Sequence, residues 1–462
     1  MCGVFGIHAP DRDVARLAYF GLYALQHRGQ ESAGIAVCEN GRLTAVRDLG
    51  LVPQVFDERT LSGLRGDYAI GHTRYSTTGA NAWENAQPLV HHGRARTVAI
   101  GHNGNLVNLA QLRETVGKPL ASTSDSEVIA ALIADDARPL ADAVAATMGR
   151  LEGAATVVGL ADGKLFAFRD AFGFRPLVLG KLGADPVVAS ESCALDLVGA
   201  KFDREIRPGE LVVATDHGIE AVQALDPAEH GALCMFEFFY LARPDTRLAG
   251  VEVHGARVRM GERLAAESPA EADLVLPVPD SGTPAAIGFA RASGISFSEG
   301  LIKNRYVGRT FIQPEQGMRD QGIRMKFNPL AEVSGKRLVV VDDSIVRGST
   351  TRQIVQMLFD AGAAEVHVRI SSPPVVSPCF YGIDFASEDE MIAADATVEE
   401  VRGAIGATSL AYLSLDGLQA ATRRPASALC RACLTREYPT RIPADAAKLM
   451  FERATARARA TL

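Results

Sequence analysis

The sequence of 462 residues has no apolar run of the length, about 18 residues, that a membrane-crossing helix needs. Its first residues, MCGVFGIHAPDRD, lack the basic start and long apolar stretch of a secretory signal, so a cytoplasmic protein is expected. Positive charge is not in excess either. The 48 Lys and Arg against 55 Asp and Glu leave a net charge of −7, which argues against a general nucleic-acid binder and leaves room only for a local basic pocket. Internal repeats, low-complexity tracts and Gly/Ser linkers are missing, so domain boundaries must come from changes of pattern. The 7 cysteines are an odd number in a long chain without a secretory signal. Paired structural disulfides are therefore a poor expectation, and reduced thiols or metal ligands a better one.

What is there is ordinary globular composition, 47% hydrophobic and 22% charged, at a length that favours more than one domain. Up to about Val213, short apolar runs such as TVAIGHNG, AATVVGLADG, KLFAFRDAFG and PLVLGKLG alternate with Gly-rich turns and read as strands. Helical spacing marks residues 13–26, and 126–133 follow a polar cluster able to cap a helix. From about Cys234 the rhythm changes. The runs DLVLPVPDSG, RLVVVDDS and EVHVRISSPP are separated by helix-length segments, as in a parallel α/β sheet. The expectation is an α+β domain over 2–233 and an α/β domain over 234–462, with a helical C-terminal segment, 418–462, packed against the second.

Cys2 directly follows Met1, and removal of that methionine would place a thiol and a free α-amino group on one residue. An α-amino group with a pKa of about 8 accepts the thiol proton near neutrality and serves as base for its own nucleophile. Taken alone, Cys2 reads first as a buried or incidental thiol, and its surroundings reverse that. Its company is CGVFGI, LQHRGQESAGI, GHTRYSTTG, GHNGNL and STSDSE. Together these motifs resemble the class II glutamine amidotransferase domain, which has the αββα fold of the N-terminal-nucleophile hydrolases. The resemblance implies that Cys2 attacks the glutamine amide and that Asn103 and the N–H of Gly104 form the oxyanion hole. It implies too that Arg74 and Asp125 hold the carboxylate and amino groups of glutamine, with Arg28 a structural partner among these glutamine-site residues. Singly, Asn103-Gly104 is also a turn, Arg74 a surface charge and Asp125 a helix cap. His72 and His102 are expected to be structural.

The stretch RLVVVDDSIVRGSTT reads as strand, loop and helix start. There the N–H groups of Val346, Arg347, Gly348, Ser349 and Thr350 and the hydroxyls of Ser344, Ser349 and Thr350 can surround a phosphate. Asp342 and Asp343 can meet ribose hydroxyls and hydrated Mg²⁺. The motif resembles the 5-phosphoribosyl-1-pyrophosphate (PRPP) loop of the type I phosphoribosyltransferases. By that resemblance PVPDSGTPAAIG contributes Ser281 as a Mg²⁺ contact, and KNRYVGRTFIQP leads into a closing loop in which Arg309, with Arg324 and Lys326 further on, offsets the charge of the leaving group.

Cys430-Arg-Ala-Cys433 has the spacing that lets two thiolates face one metal, which by itself supports zinc, a cluster or redox chemistry alike. In order, Cys234, Cys379, Cys430 and Cys433 resemble the [4Fe-4S] ligands of one branch of the amidophosphoribosyltransferases, with Zn²⁺ as the alternative occupant. The cluster would be structural, and its oxidation would destabilise the fold. Cys38 and Cys193 are left as buried small hydrophobes. Relatives with these four cysteines commonly carry a short propeptide, whereas only Met1 precedes Cys2 here, so simple methionine removal is expected. The resemblance as a whole implies glutamine hydrolysis coupled to amination of PRPP, a homotetramer, feedback inhibition by purine nucleotides, and no nucleic-acid or membrane partner.

Overall fold

The computed structural model describes residues 1–76, 79–117, 119–215, 218–306, 323–384 and 391–443. Its first half is built on two stacked antiparallel sheets. One runs in the order β11-β9-β10-β1-β4-β2-β3, from β1 (Gly3–His8), β2 (Ser32–Glu39), β3 (Arg42–Leu49), β4 (Tyr68–Arg74), β9 (Val178–Leu182), β10 (Asp185–Ala189) and β11 (Lys201–Glu205). The other runs β13-β12-β8-β7-β6-β5, from β5 (Leu89–His92), β6 (Thr97–Leu106), β7 (Gly153–Ala161), β8 (Lys164–Arg169), β12 (Glu210–Thr215) and β13 (Gly218–Gln223).

Side-chain alternation sets the layering, because neighbouring residues of a strand face opposite sides. On β1, Val4 joins Ala36, Ile70, Val158 and Leu165 in the core between the sheets. Phe5 and Ile7 point the other way, against α1 (Val14–Ala24). The outer face of the second sheet is covered by α2 (Asp125–Asp135) and α3 (Leu140–Met148), with Ile129, Ile133 and Val144 against Ile100, Val157 and Phe166. The result is helix, sheet, sheet, helix, the αββα arrangement expected. Cys38 lies in the inter-sheet core and Cys193 under α1, each 3% exposed.

The helix expected over 126–133 begins one residue earlier. Ser124 caps it by accepting from the Ser126 N–H, so Asp125 stands inside the first turn and is not the cap.

In the second half, β14 (Leu274–Pro277), β15 (Ser296–Phe297), β16 (Arg337–Asp342), β17 (Glu365–Ile370) and β18 (Ser409–Tyr412) form a sheet in the order β15-β14-β16-β17-β18, every neighbouring pair parallel. Helices cover both faces, which is why β16 reads as an unbroken apolar run. Val339 and Val341 pack towards α4 (Val253–Glu267) and α5 (Thr283–Ser293). Leu338 and Val340 pack towards α6 (Ser349–Asp360). The C-terminal segment expected to be helical is only partly so: a helix over Leu415–Thr422 is followed by the short strand Leu429–Cys430 and one turn, Ala432–Thr435, while 444–462 fall outside the described residues. Among the described residues no helix is long and apolar enough to cross a membrane.

Helices α4 and α5 approach so closely that a Cβ at Gly261 would stand 1.8 Å from the Ala285 carbonyl oxygen and one at Gly288 1.9 Å from that of Val258. Gly261→Ala is expected to lower stability by at least about 1–3 kcal/mol, seen as a fall in Tm. By contrast Gly403, in the helix Val398–Ile405, has nothing within 4 Å of its ideal Cβ. Gly403→Ala should raise stability by about 0.5–1 kcal/mol in the same thermal melt.

Candidate active site

Cys2 lies just ahead of β1, whose pairing with β4 starts at Gly3 opposite Thr73. Its backbone is clasped from two directions. Its N–H donates to Asn103 Oδ1 at 3.2 Å, and its carbonyl accepts from Arg28 Nε at 3.0 Å. The thiol points to the Tyr75 carbonyl at 3.7 Å. Met1 is enclosed beside it, 4% exposed, with its ammonium donating to the same Tyr75 carbonyl at 3.1 Å. Burial, foremost, brings that α-amino group down to a pKa of about 5.

Asn103 is on β6, fully buried, and its Nδ2 finds no acceptor among the described residues. A buried donor without a partner costs about 1–3 kcal/mol, the kind of deficit a ligand atom removes. Gly104 follows in the same strand. A Cβ there would meet the Ala154 carbonyl oxygen at 2.0 Å and His102 Nε2 at 2.7 Å, so only glycine lets the strand lie this close.

Arg74, at the end of β4, is buried, and the Ala80 and Gly79 carbonyls accept from its Nη1 and Nη2 at 3.0 and 3.2 Å. Asp125 accepts from the Leu106 N–H at 3.0 Å and faces His102 Nδ1 at 3.5 Å. Burial opposes the Asp125 charge, but His102, then the Leu106 N–H and then Arg74 outweigh it and hold the carboxyl below its usual range. His102 is correspondingly raised: its burial is offset by Asp125. Sequence reasoning gave His102 no part beyond packing, yet it is the neighbour that keeps this carboxylate charged. His72 fits its structural reading: burial takes it down to about 3, and its Nε2 donates to the His102 carbonyl at 3.1 Å.

Arg28 is placed differently from a substrate ligand. Its side chain is 0% exposed and its nitrogens are taken up by the Cys2 carbonyl, Glu191 and Glu237. Its contacts are therefore with the Cys2 backbone and two buried acids. Sequence reasoning missed Glu191, Glu237 and Arg175, which complete this buried cluster, and Glu31, which accepts from the Ser76 N–H at 2.8 Å. The signal for Glu237 was a lone acid inside the aromatic run FEFFYL.

The second cluster sits at the carboxyl end of β16, where ligands of open α/β sheets bind. Asp342 and Asp343 are both buried, Asp343 donates its N–H to Asp342 Oδ1 at 2.9 Å, and Ser344 Oγ donates to Asp343 at 2.6 Å. Ser281 also hydrogen-bonds Asp343. Burial raises both carboxyls, and the charge of Asp343 raises Asp342 further. Such a pair of hard oxygen donors fits a hydrated Mg²⁺. Gly348, at φ +73°, turns the chain into α6, and Arg347, Ser349 and Thr350 line this turn exposed to solvent. By its position the first turn of α6 offers N–H groups without helical acceptors. Arg309 lies outside the described residues. Arg324 pairs with Asp360 at 3.1 Å on the surface, and Lys326 lies over the Phe327 ring.

All four candidate metal-ligand cysteines are free thiols. Cys234 and Cys430 are register partners in a short parallel strand pair, Leu233–Cys234 with Leu429–Cys430. Cys379 Sγ accepts from the Tyr381 and Ile383 N–H groups at 3.4 Å each. Burial pushes the Cys433 thiol up, and the charges of Cys234, Cys379 and Cys430 push it further, which places the four within electrostatic reach of one another. Cys234 is brought to about 11 by burial, partly offset by Arg175. The donor chemistry thus fits a thiolate-bound group. Even so, among the described residues no three His, Cys, Asp or Glu side chains close around a single metal position.

A family model described as a glutamine amidotransferase domain matches residues 72–196. The chain is 53% identical to the amidophosphoribosyltransferase of Mycobacterium tuberculosis over 96% of its own length and 88% of that protein, and 51% identical to that of Synechococcus elongatus over 98% and 95%. Among solved structures it resembles the glutamine PRPP amidotransferase of Bacillus subtilis, complexed with ADP and GMP, at a TM-score of 0.90 and 45% identity over 96% of this chain and 98% of the other. Identity at this level runs through both halves, and the fold follows it throughout, so the chain belongs to the amidophosphoribosyltransferase family, combining a glutamine amidotransferase with a pentosyltransferase.

Proposed function

We propose that Cys2 is the nucleophile through which this enzyme takes nitrogen from glutamine, and that the two halves divide at 233/234. The observation that supports it is the clasp on Cys2: both its backbone polar groups are held by buried side chains, and one of those, Asn103, presents an unsatisfied donor beside the thiol. With Met1 removed, the α-amino group of Cys2 takes the thiol proton. The thiolate attacks the amide carbon, Asn103 Nδ2 and the Gly104 N–H stabilise the oxyanion, and the C–N bond breaks as ammonia takes up the proton. Water then hydrolyses the thioester to glutamate. Arg74 and Asp125, opposite charges at the same site, bind the two ends of the amino acid.

Ammonia displaces pyrophosphate from C1 of PRPP, giving 5-phosphoribosylamine, the step that opens purine synthesis. Val346 to Thr350 cradle the 5-phosphate, Asp342 and Asp343 face the ribose, and the same acids with Ser281 would hold Mg²⁺, whose charge would offset that of the departing pyrophosphate. Arg309 would serve the same end. The four cysteines would hold a structural [4Fe-4S] cluster, zinc being the alternative. The nucleotides named for the Bacillus subtilis structure support purine nucleotides as feedback inhibitors here. A cytoplasmic homotetramer completes the reading.

Cys2→Ala is expected to abolish pyrophosphate release with glutamine as donor and to leave release with ammonia, and mass spectrometry of active enzyme should find Cys2 as the first residue. Retention of the glutamine reaction by the variant would refute the assignment. Asn103→Ala should lower kcat for glutamine hydrolysis about 10²–10³-fold, the cost of one oxyanion-hole donor. Anaerobically purified protein should carry about four iron and four sulfide per chain, whereas one equivalent of zinc would assign the cysteines to the other metal.

A further inference from the structure

Two guanidiniums, Arg28 and Arg175, lie fully enclosed in the first half, each with 0% side-chain exposure. Arginine cannot shed its charge in a protein interior, so each needs a buried acid. Both find Glu237, which comes from the second half and is itself 0% exposed. Arg28 meets it as a fork: Nη2 donates to Oε1 at 2.7 Å and Nη1 to Oε2 at 2.9 Å. Arg175 Nη1 lies 3.4 Å from Oε1. The remaining donor of Arg28, Nε, is the one that fixes the Cys2 carbonyl. Arg175 in turn donates from Nε and Nη2 to the Tyr381 carbonyl at 3.1 and 2.7 Å, beside a loop whose Phe380 carbonyl accepts from Asn105 Nδ2 at 2.9 Å.

We propose that Glu237 is a positioning residue for the nucleophile, a carboxylate supplied by the phosphoribosyltransferase half that orients Arg28 and through it the backbone of Cys2. Glu191 shares the load from the first half, accepting from His27 at 2.8 Å and from Arg28. Glu237 is fixed in its own half. It opens a single helical turn, Glu237–Leu241, whose Phe238 carbonyl and the following Ala242 carbonyl both accept from buried Arg257 at 2.8 Å. Cys234 lies just before this turn and Cys379 just before Tyr381, so two of the four candidate ligand cysteines flank the segments that reach across. The inference rests on Cys2 being the nucleophile.

The test is Glu237→Gln in the full chain, which keeps the shape and removes the charge. Active molecules are counted by labelling Cys2 to completion with a glutamine-shaped diazoketone, so that any misfolded fraction drops out. The expected result is a kcat for glutamine hydrolysis, per labelled site, at least about tenfold lower, with KM for glutamine within about twofold, because the nucleophile is misplaced while the substrate contacts remain. Glu237→Asp, which keeps the charge at a shorter reach, should fall between. Should Glu237→Gln fail to fold, Arg28→Lys keeps the positive charge, loses the fork and is expected to show the same split. A kcat per labelled site within about twofold of the wild type, in Glu237→Gln or in its substitute, overturns the proposal. Glutamine hydrolysis surviving in Cys2→Ala would instead remove the nucleophile reading beneath it.

Discussion

On the proposed reading Cys2 becomes the end of the chain and is tethered on one side only, so every other freedom has to be removed by non-covalent contact. Here the strand pairing of β1 begins at the next residue, Asn103 takes the Cys2 N–H, and Arg28 takes the carbonyl. The last of these is the demanding one. A guanidinium buried without a partner costs about 3–5 kcal/mol, so the decision to hold Cys2 with Arg28 obliges the fold to bring acids into the same interior. Glu191 and Glu237 answer that need, and the Arg28 charge is held above its usual range because they outweigh its burial. The acid brought by Glu237 belongs to the other half of the chain. In this way a local requirement at the amino terminus becomes a reason for the two halves to be packed together.

The glycines at this junction show how tight the packing is. Gly382, at φ +106°, lies where an added Cβ would stand 3.1 Å from the Gly104 backbone. The loop carrying Cys379 therefore rests on the strand that carries Asn103, with Tyr381 stacked on Phe174 at 4.2 Å between ring centroids. A thiolate-bound group at the four cysteines would tie this loop to the segment of Glu237. Such a group need take no part in electron transfer to matter for glutamine hydrolysis, since it would fix the platform on which the clasp is built.

What the sequence made legible was local. Alternation marked the strands of the first half and unbroken apolar runs such as LVVV the parallel sheet of the second, because burial on one or both faces writes itself into neighbouring residues, whereas the αββα layering came from the resemblance carried by the motifs. Cys2, Asn103, Gly104, Asp342 and Asp343 could be singled out as candidates because each sits in a contiguous motif. Long-range electrostatics was not. Arg28 and Glu237 are separated by 209 positions, and Arg175 and Glu237 by 62, so no window of sequence contains either pair. The tool that would have helped is a rule of charge rather than a motif: an acid set among Phe236, Phe238 and Phe239 must be paired or neutral. The same blindness hid His102, whose partner Asp125 lies on a different element.

Both sites share one physical design. The first leaves a buried donor, Asn103 Nδ2, without an acceptor, and the second buries Asp342 beside Asp343 so that each carboxyl is raised. In each case the proposed ligand has the sign that would cancel this deficit: an oxyanion for the first, a divalent cation for the second. A group held this way is already oriented when the ligand arrives, so less of the interaction is lost to reorganisation. Anything that binds the folded state alone also stabilises it by mass action. The features that cost stability are thus the same ones that would make binding selective at the proposed sites, and the sheets beneath them are what allow the protein to carry that cost at two places at once.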